Sequence, residues 1–185
     1  MPTTLQEIAG FLDDSGLRHD LRDEHLLIPF ETDAYRNPDG EPTLLLAIRL
    51  EEDGRYFKLF APTAFRAVGE FRDAFLRAAA IVQWKTKLVQ FEFDEDDGEV
   101  RPIVEFPLED APLTRRQLDR CIRGLVQLLE VYATPLRTAL VTGVVDLGDE
   151  GAPVAAALGE MLSRIPPDVL ADALQQADDR RRRGV

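Results

Sequence analysis

The sequence is poor in cysteine and contains no long apolar segment. Its single cysteine, Cys121, excludes a disulfide within the chain and is typical of proteins kept in a reducing compartment. No apolar run approaches the roughly 20 residues that a transmembrane helix needs. The first residues, Met1 to Thr4, lack the basic and then apolar pattern of a secretory signal. We therefore expect a cytoplasmic protein with no membrane partner.

Histidine and serine, which often carry acid–base or nucleophilic catalysis, occur only twice each. His19 and His25 have acidic neighbours, but the alternating pattern between them favours a solvated turn over a zinc site. Ser15 has the surroundings of a helix end, and Cys121 falls beside the buried stripe of a helix. The acidic run at 94–99 lacks the ligand spacing of a calcium loop. We expect no catalytic residue, no metal site and no cofactor.

Positive charge is scarce as well. The chain has 34 acidic and 22 basic residues, a net charge of −12, and a field of this sign repels phosphate backbones. The exception is a basic run near the end of the sequence, formed by Arg180, Arg181, Arg182 and Arg183. This run follows two aspartates, a pattern typical of a solvated terminus. We expect no nucleic-acid partner.

A hairpin is predicted at the centre of the chain. Residues 88–94 and 100–108 alternate apolar and polar side chains around Asp97-Gly98, a dipeptide typical of two-residue turns. A turn at this dipeptide places Phe91 opposite Val104, Val89 opposite Phe106 and Phe93 opposite Pro102, so that one face of the hairpin is apolar.

A second hairpin is predicted from residues 43–50 and 55–61, joined at Asp53-Gly54. It pairs Leu50 with Phe57 and Ile48 with Leu59 on its first face. The second face is apolar too, and its residues are Leu45, Ala47, Tyr56 and Phe60. A strand face that meets water should be polar. We expect a loop of this chain, a second subunit or a bound partner to cover it.

Helices are predicted at three places. Thr4 and Glu7 have the spacing of a capping box, the stretch 64–86 has a helical apolar stripe, and a second capping box at Thr114 and Gln117 begins a long helix over 115–140. Pro135 lies inside the long helix, where we expect a kink. A helix lying across a sheet is favoured over a coiled coil for this length.

These elements predict an α+β fold: an antiparallel sheet of about five strands, including one at 26–30, packed by helices. The length of 185 residues and a 45% hydrophobic content suit one globular core. We expect a domain at 1–145, followed at 146–185 by a linker, short C-terminal helices near 154–165 and 169–177, and the basic tail.

Three segments and the order of the elements carry a family resemblance. The segments are Leu26-Leu27-Ile28-Pro29-Phe30, the hairpin residues 91–100, and residues 108–114 before the long helix. Over residues 3–140 the chain resembles the YbjN-like family, whose members look like type III secretion chaperones in fold. The resemblance implies a non-enzymatic, usually dimeric α+β protein that holds an extended segment of another protein.

The leading functional hypothesis is a chaperone-like or adaptor module that binds a protein or peptide client as a homodimer. We expect partner-binding residues along an exposed strand edge or at the following positions: Leu45, Ala47, Tyr56, Phe60, Trp84 and Ile103. One alternative is a regulatory or structural subunit that docks through its C-terminal helices. The other is a hydrolase or metal enzyme that uses His19 and His25.

Overall fold

The computed structural model describes residues 2–148, which form one antiparallel sheet and three helices. The helices are α1 (Leu5–Asp14), α2 (Arg72–Lys85) and α3 (Arg115–Thr142). The strands are β1 (Asp20–Leu21), β2 (Leu26–Glu31), β3 (Thr43–Glu51), β4 (Tyr56–Phe60), β5 (Phe65–Arg66), β6 (Gln90–Phe93) and β7 (Glu99–Pro107). Their order across the sheet is β1-β2-β3-β4-β7-β5, and β6 pairs with β7. The predicted α+β class is confirmed, with seven strands in the described region rather than about five because β1 and β5 are very short.

The helices pack on one face of the sheet, which we call the inner face. Alternate strand residues such as Leu46, Leu59 and Val104 share a single core with buried residues of all three helices. Ala47 and Ile103 are nearly as buried, but they are not part of this core. Successive strand residues point to opposite faces, so Ala47 and Ile103 lie on the other side of the sheet, the outer face.

Both predicted capping boxes are confirmed. The Thr4 hydroxyl accepts the Glu7 N–H at 3.2 Å, and the Glu7 carboxylate accepts the Thr4 N–H at 2.9 Å. Thr114 and Gln117 make the same reciprocal pair at the start of α3. Caps of this kind stabilise a helix by about 1 kcal/mol. Helix α3 continues through Pro135 to Thr142, and its apolar stripe faces the core.

The register of the second hairpin is confirmed. Leu50 pairs with Phe57 and Ile48 with Leu59, as the Asp53-Gly54 turn predicted. The connection itself is a single 3-10 turn, Glu52–Gly54, in which all three residues have positive φ. Positive φ at the centre of a tight connection matches the twist of the two strands, which explains why the register follows from this dipeptide.

The register of the first hairpin differs from the prediction by two residues. Phe91 pairs with Pro102 rather than Val104, and Phe93 with Val100 rather than Pro102. The reason is a four-residue loop, closed by the Asp94 N–H to the Glu99 carbonyl at 2.8 Å and braced by the Asp94 and Asp97 carboxylates, which accept backbone N–H groups inside it. Because the slip is two residues and not one, every side chain stays on its predicted face.

Helix α2 begins later than predicted. It starts at Arg72, whereas the apolar stripe indicated a helix from about residue 64. The intervening residues Phe65 and Arg66 form β5 and pair with Val100 and Glu99 of β7. The Phe65 ring packs edge-on against Tyr35 with centroids 5.8 Å apart, so tertiary packing decides the conformation here.

The predicted C-terminal helices at 154–165 and 169–177, and the basic tail from Arg180 to Arg183, lie outside the described residues. Within residues 2–148, no helix has the length and apolarity required to cross a membrane.

Candidate partner-binding surface

The outer face carries an apolar row that crosses four strands. Leu27 of β2 pairs with Ala47 of β3, Ala47 with Phe60 of β4, and Phe60 with Ile103 of β7. Directly paired residues have neighbouring side chains on one face of a sheet. We call these four residues the apolar row. Leu45 and Tyr56 lie on the same face to either side of it.

Two members of the apolar row are buried and two are only partly buried. Ala47 is 4% exposed and Ile103 2% exposed, although no described helix packs on this face. Phe60 is paired with both and stands between them, and its own ring is only partly buried. Leu45 is 41% exposed beside the row. The row is therefore a small apolar patch that still presents apolar surface to its surroundings.

Ion pairs surround the apolar row. The Lys58 ammonium lies 3.2 Å from the Glu51 carboxylate and 3.4 Å from that of Glu105, and Arg101 reaches Glu92 at 2.6 Å. The Arg101 guanidinium also lies 5.1 Å from the centroid of the Phe60 ring. Such contacts orient the cations over the patch and add modest stability.

The strand residues of the outer face carry four cations and six carboxylates, a net charge of −2. The cations are Arg49, Lys58, Arg66 and Arg101, and the carboxylates are Asp20, Glu31, Glu51, Glu92, Glu99 and Glu105. Partial burial by itself lowers the Lys58 pKa, but the hydrogen bonds and charges of Glu51 and Glu105 outweigh that effect and raise it. Lys58 is therefore held in its charged form between its two partners.

Trp84 does not join the other predicted residues. It lies in the last turn of α2 and is 89% exposed, next to the exposed Leu88. Of the six predicted positions, three belong to the apolar row, two flank it on the outer face, and Trp84 is on a helix of the inner layer.

Both edges of the sheet are protected in the described region. On β6, the outward-pointing N–H of Phe91 donates to the Gln83 side-chain carbonyl at 3.0 Å. At the other edge, β1 covers only Leu26 and Leu27 of β2. Beyond them the backbone of Pro29 points away from β3, because that of Thr32, three residues later, points toward it, and Pro29 offers no N–H. The Gln83 side chain at β6 and the proline in β2 each hinder pairing with an added strand.

The sequence did not predict a groove that lies beside α3. It encloses about 660 Å³ between the β2–β3 loop, residues 64–66 and the C-terminal half of α3. Its lining includes Arg36, Arg66 and Arg137. These residues are far apart in sequence and share no local pattern. Only the folding of α3 beside the loop brings them together.

The candidate nucleophiles and metal ligands are dispersed. Cys121 is buried on α3, and burial raises the pKa of its thiol to about 11. His19 lies 3.1 Å from the Leu17 carbonyl and 3.9 Å from Asp13, and the buried Nδ1 of His25 has no hydrogen-bond partner among the described residues. Within residues 2–148 no three His, Cys, Asp or Glu side chains form a group that could hold a metal ion.

The fold and surfaces define an α+β sheet protein with helices on one face and an apolar patch on the other. No protein-family model and no curated protein matches the sequence. Among solved structures, the chain is similar to YbjN from E. coli, a candidate transcription regulator, at 18% identity over 73% of this chain and 90% of that chain, with a TM-score of 0.48. It is also similar to a chain of the HopA1–SchA chaperone–effector complex, at 13% identity over 68% of this chain and 88% of that chain, with a TM-score of 0.46.

Proposed function

We propose that this chain is a non-enzymatic protein-binding module, chaperone-like or adaptor, that acts as a homodimer and holds a segment of a partner protein. The outer face joins the two copies. The observation that carries the proposal is the apolar row of Leu27, Ala47, Phe60 and Ile103, which no described helix covers. The buried Cys121 supports the non-enzymatic assignment, since a thiol whose pKa is raised to about 11 is a poor nucleophile at neutral pH.

The apolar row supports burial against another protein. A sheet face that remains in water carries polar residues at alternate positions, whereas here Leu45 and Phe60 keep apolar surface exposed. Burying apolar surface stabilises an interface by about 25 cal/mol for each Å² removed from water. A central apolar patch with a rim of charged residues is also the usual composition of a protein interface.

Charge favours a second copy as the occupant of this face. Each chain carries a net charge of −12, so two copies repel one another over most of their surfaces. The strand residues of the outer face carry only −2 of this charge, and Lys58 and Arg101 on it have carboxylate partners, so two copies that meet here face little local repulsion. A two-fold axis through the face would set the row of one copy against that of the other.

The test is the oligomeric state of the full chain by sedimentation velocity. We expect the natural chain to be a dimer at micromolar concentration and Leu45→Glu to be a monomer, because the new carboxylate would be buried without a partner. Val144→Glu is the matched control, since Val144 is exposed outside the outer face, and it should leave the dimer intact. A monomeric natural chain, or equal effects of the two substitutions, would overturn the homodimer.

A further inference from the structure

The groove beside α3, which we call the arginine groove, has walls from three parts of the chain. Residues 34–39 of the β2–β3 loop form one wall, Ala64, Phe65 and Arg66 a second, and residues 133–142 of α3 the third. The buried rings of Tyr35 and Phe65 lie at its base in edge-to-face contact. Its volume of about 660 Å³ is in the range of sites that bind a ligand or a peptide segment.

The groove is held in shape by hydrogen bonds between its walls. The Tyr35 hydroxyl donates to the Ala64 carbonyl at 2.7 Å, which joins the loop to the strand region. On α3, the Glu130 carboxylate accepts the N–H groups of Asp33 at 3.1 Å and Ala34 at 2.7 Å. The groove is therefore preformed, and an occupant would not need to organise it.

The three arginines of the groove lack acidic partners. Arg36 donates to the carbonyls of Asp33 and Tyr35, and Arg66 donates to the carbonyl of Asp97. Arg137 is exposed, and none of the three forms an ion pair within residues 2–148. Asp39 also lines the groove, so the lining has three arginines against one carboxylate, in a chain whose carboxylates outnumber its cations by 34 to 22.

The lining identifies the chemistry of an occupant. Guanidinium groups without carboxylate partners bind carboxylates through paired, charge-assisted hydrogen bonds. Apolar side chains on the same wall, Leu140 and the exposed Val141, favour an occupant that also has apolar side chains. The net charge of −12 opposes a nucleic acid, which would bring its own dense negative charge.

We propose that the arginine groove binds an acidic segment of the partner protein, with carboxylates on Arg137 and Arg36 and apolar side chains against Val141. This inference rests on the proposed function, since it names the site and the chemistry of the segment that the module holds. The apolar row and the arginine groove share no residue, so dimerisation and segment binding can be measured separately.

The experiment uses the full chain and a fluorescein-labelled peptide of about twelve residues in which glutamate alternates with leucine, a length suited to an extended segment. Fluorescence anisotropy should show binding, and the same peptide with glutamine in place of glutamate should bind about tenfold more weakly. Arg137→Glu should weaken binding of the acidic peptide by roughly tenfold or more. Arg116→Glu is the matched control: it is also an exposed arginine of α3, it lies outside the groove, and it should change the affinity by less than about twofold.

Equal affinities for the glutamate and glutamine peptides, or equal losses in Arg137→Glu and Arg116→Glu, would overturn the groove proposal. So would tighter binding of a single-stranded oligonucleotide than of the acidic peptide, which would assign the groove to phosphates. Far-ultraviolet circular dichroism and thermal melting would show that each variant is folded. The Leu45→Glu variant should remain able to bind the peptide. If the natural chain is a monomer that binds the peptide, only the homodimer is refuted. If the natural chain is a dimer that does not bind the peptide, only the groove proposal is refuted.

Discussion

At the scale of single residues, two acidic groups are buried in the core where their charged forms are disfavoured. Burial raises the pKa of the Cys121 thiol to about 11, with the charge of Arg120 opposing the shift, and burial also raises the pKa of Tyr35. In the unfolded chain a thiol ionises near its ordinary pKa of about 8.5. The folded state then binds more protons than the unfolded state above that pH, so stability falls as pH rises.

We predict that the free energy of unfolding decreases by about 2 kcal/mol between pH 7 and pH 10 because of Cys121, since each pH unit above the unfolded pKa of about 8.5 costs about 1.4 kcal/mol. Below pH 8 the thiol contributes fully and the stability should not depend on it. Urea denaturation of the natural chain and of Cys121→Ala at pH 7, 9 and 10 measures the effect. The difference between the two isolates the thiol from Tyr35, which also ionises in this range once unfolded. Parallel curves for the two proteins would contradict the assignment.

The alternation of side chains along a strand predicts which residues share a face of the sheet. Ala47, Phe60 and Ile103 were predicted as partner-binding residues, and the strand registers place them in one row, because each strand residue has only two faces available. Trp84 was chosen for its position between a helix and a hairpin. Nothing local determines where a residue in the last helical turn points, and the structure places Trp84 away from the row.

At the scale of elements, the loop between β6 and β7 depends on one glycine. Gly98 has φ of +79°, and a Cβ there would lie 2.5 Å from a methyl carbon of Val68 and 2.9 Å from the Ala67 carbonyl oxygen. Gly124 lies within α3, and a Cβ there would meet nothing within 4 Å. The same substitution should therefore have opposite effects at these two sites.

We predict that Gly98→Ala destabilises the protein by about 2 kcal/mol or more, from backbone strain together with the collision at Ala67. Gly124→Ala should stabilise it by roughly 0.5–1 kcal/mol through helix propensity. Chemical denaturation of the two variants beside the natural chain measures both. A destabilising effect of Gly124→Ala would contradict an open helix surface at Gly124, and a neutral Gly98→Ala would contradict the strained backbone and close contact at Gly98.

The two hairpins show that a strand register can be predicted from sequence only when the position of the turn is predicted correctly. The second register was predicted correctly because the backbone of Asp53 and Gly54 takes the conformation that their dipeptide favours. The first was displaced by two residues because its loop, residues 95–98, is centred on Asp96 and Asp97 rather than on Asp97-Gly98, with the carboxylates of Asp94 and Asp97 accepting backbone N–H groups. The arginine groove could not be predicted at all, since Arg36 and Arg137 meet only after the sheet and α3 have packed.

At the scale of the whole molecule, the excess of carboxylates is distributed unevenly. The strand residues of the outer face have a net charge of −2, whereas the lining of the arginine groove has three arginines and one carboxylate, Asp39. A homodimer of two such chains must overcome repulsion between like net charges of −12, while an acidic segment is attracted locally to the groove. The two proposed interactions therefore differ in the sign of the electrostatics close to the contact.

This difference predicts opposite responses to salt. Raising sodium chloride from about 0.05 M to 0.5 M shortens the distance over which charges act from roughly 14 Å to 4 Å. The homodimer should tighten by several-fold, because screening removes repulsion and leaves apolar burial almost unchanged. Binding of the glutamate–leucine peptide should weaken by about tenfold, because screening removes attraction. Analytical ultracentrifugation and anisotropy over the same salt series measure the two responses.

If the dimer weakened with salt, charge pairs between the copies rather than the apolar row would hold it together. If peptide affinity were insensitive to salt, the arginines would not be the groups that bind the segment.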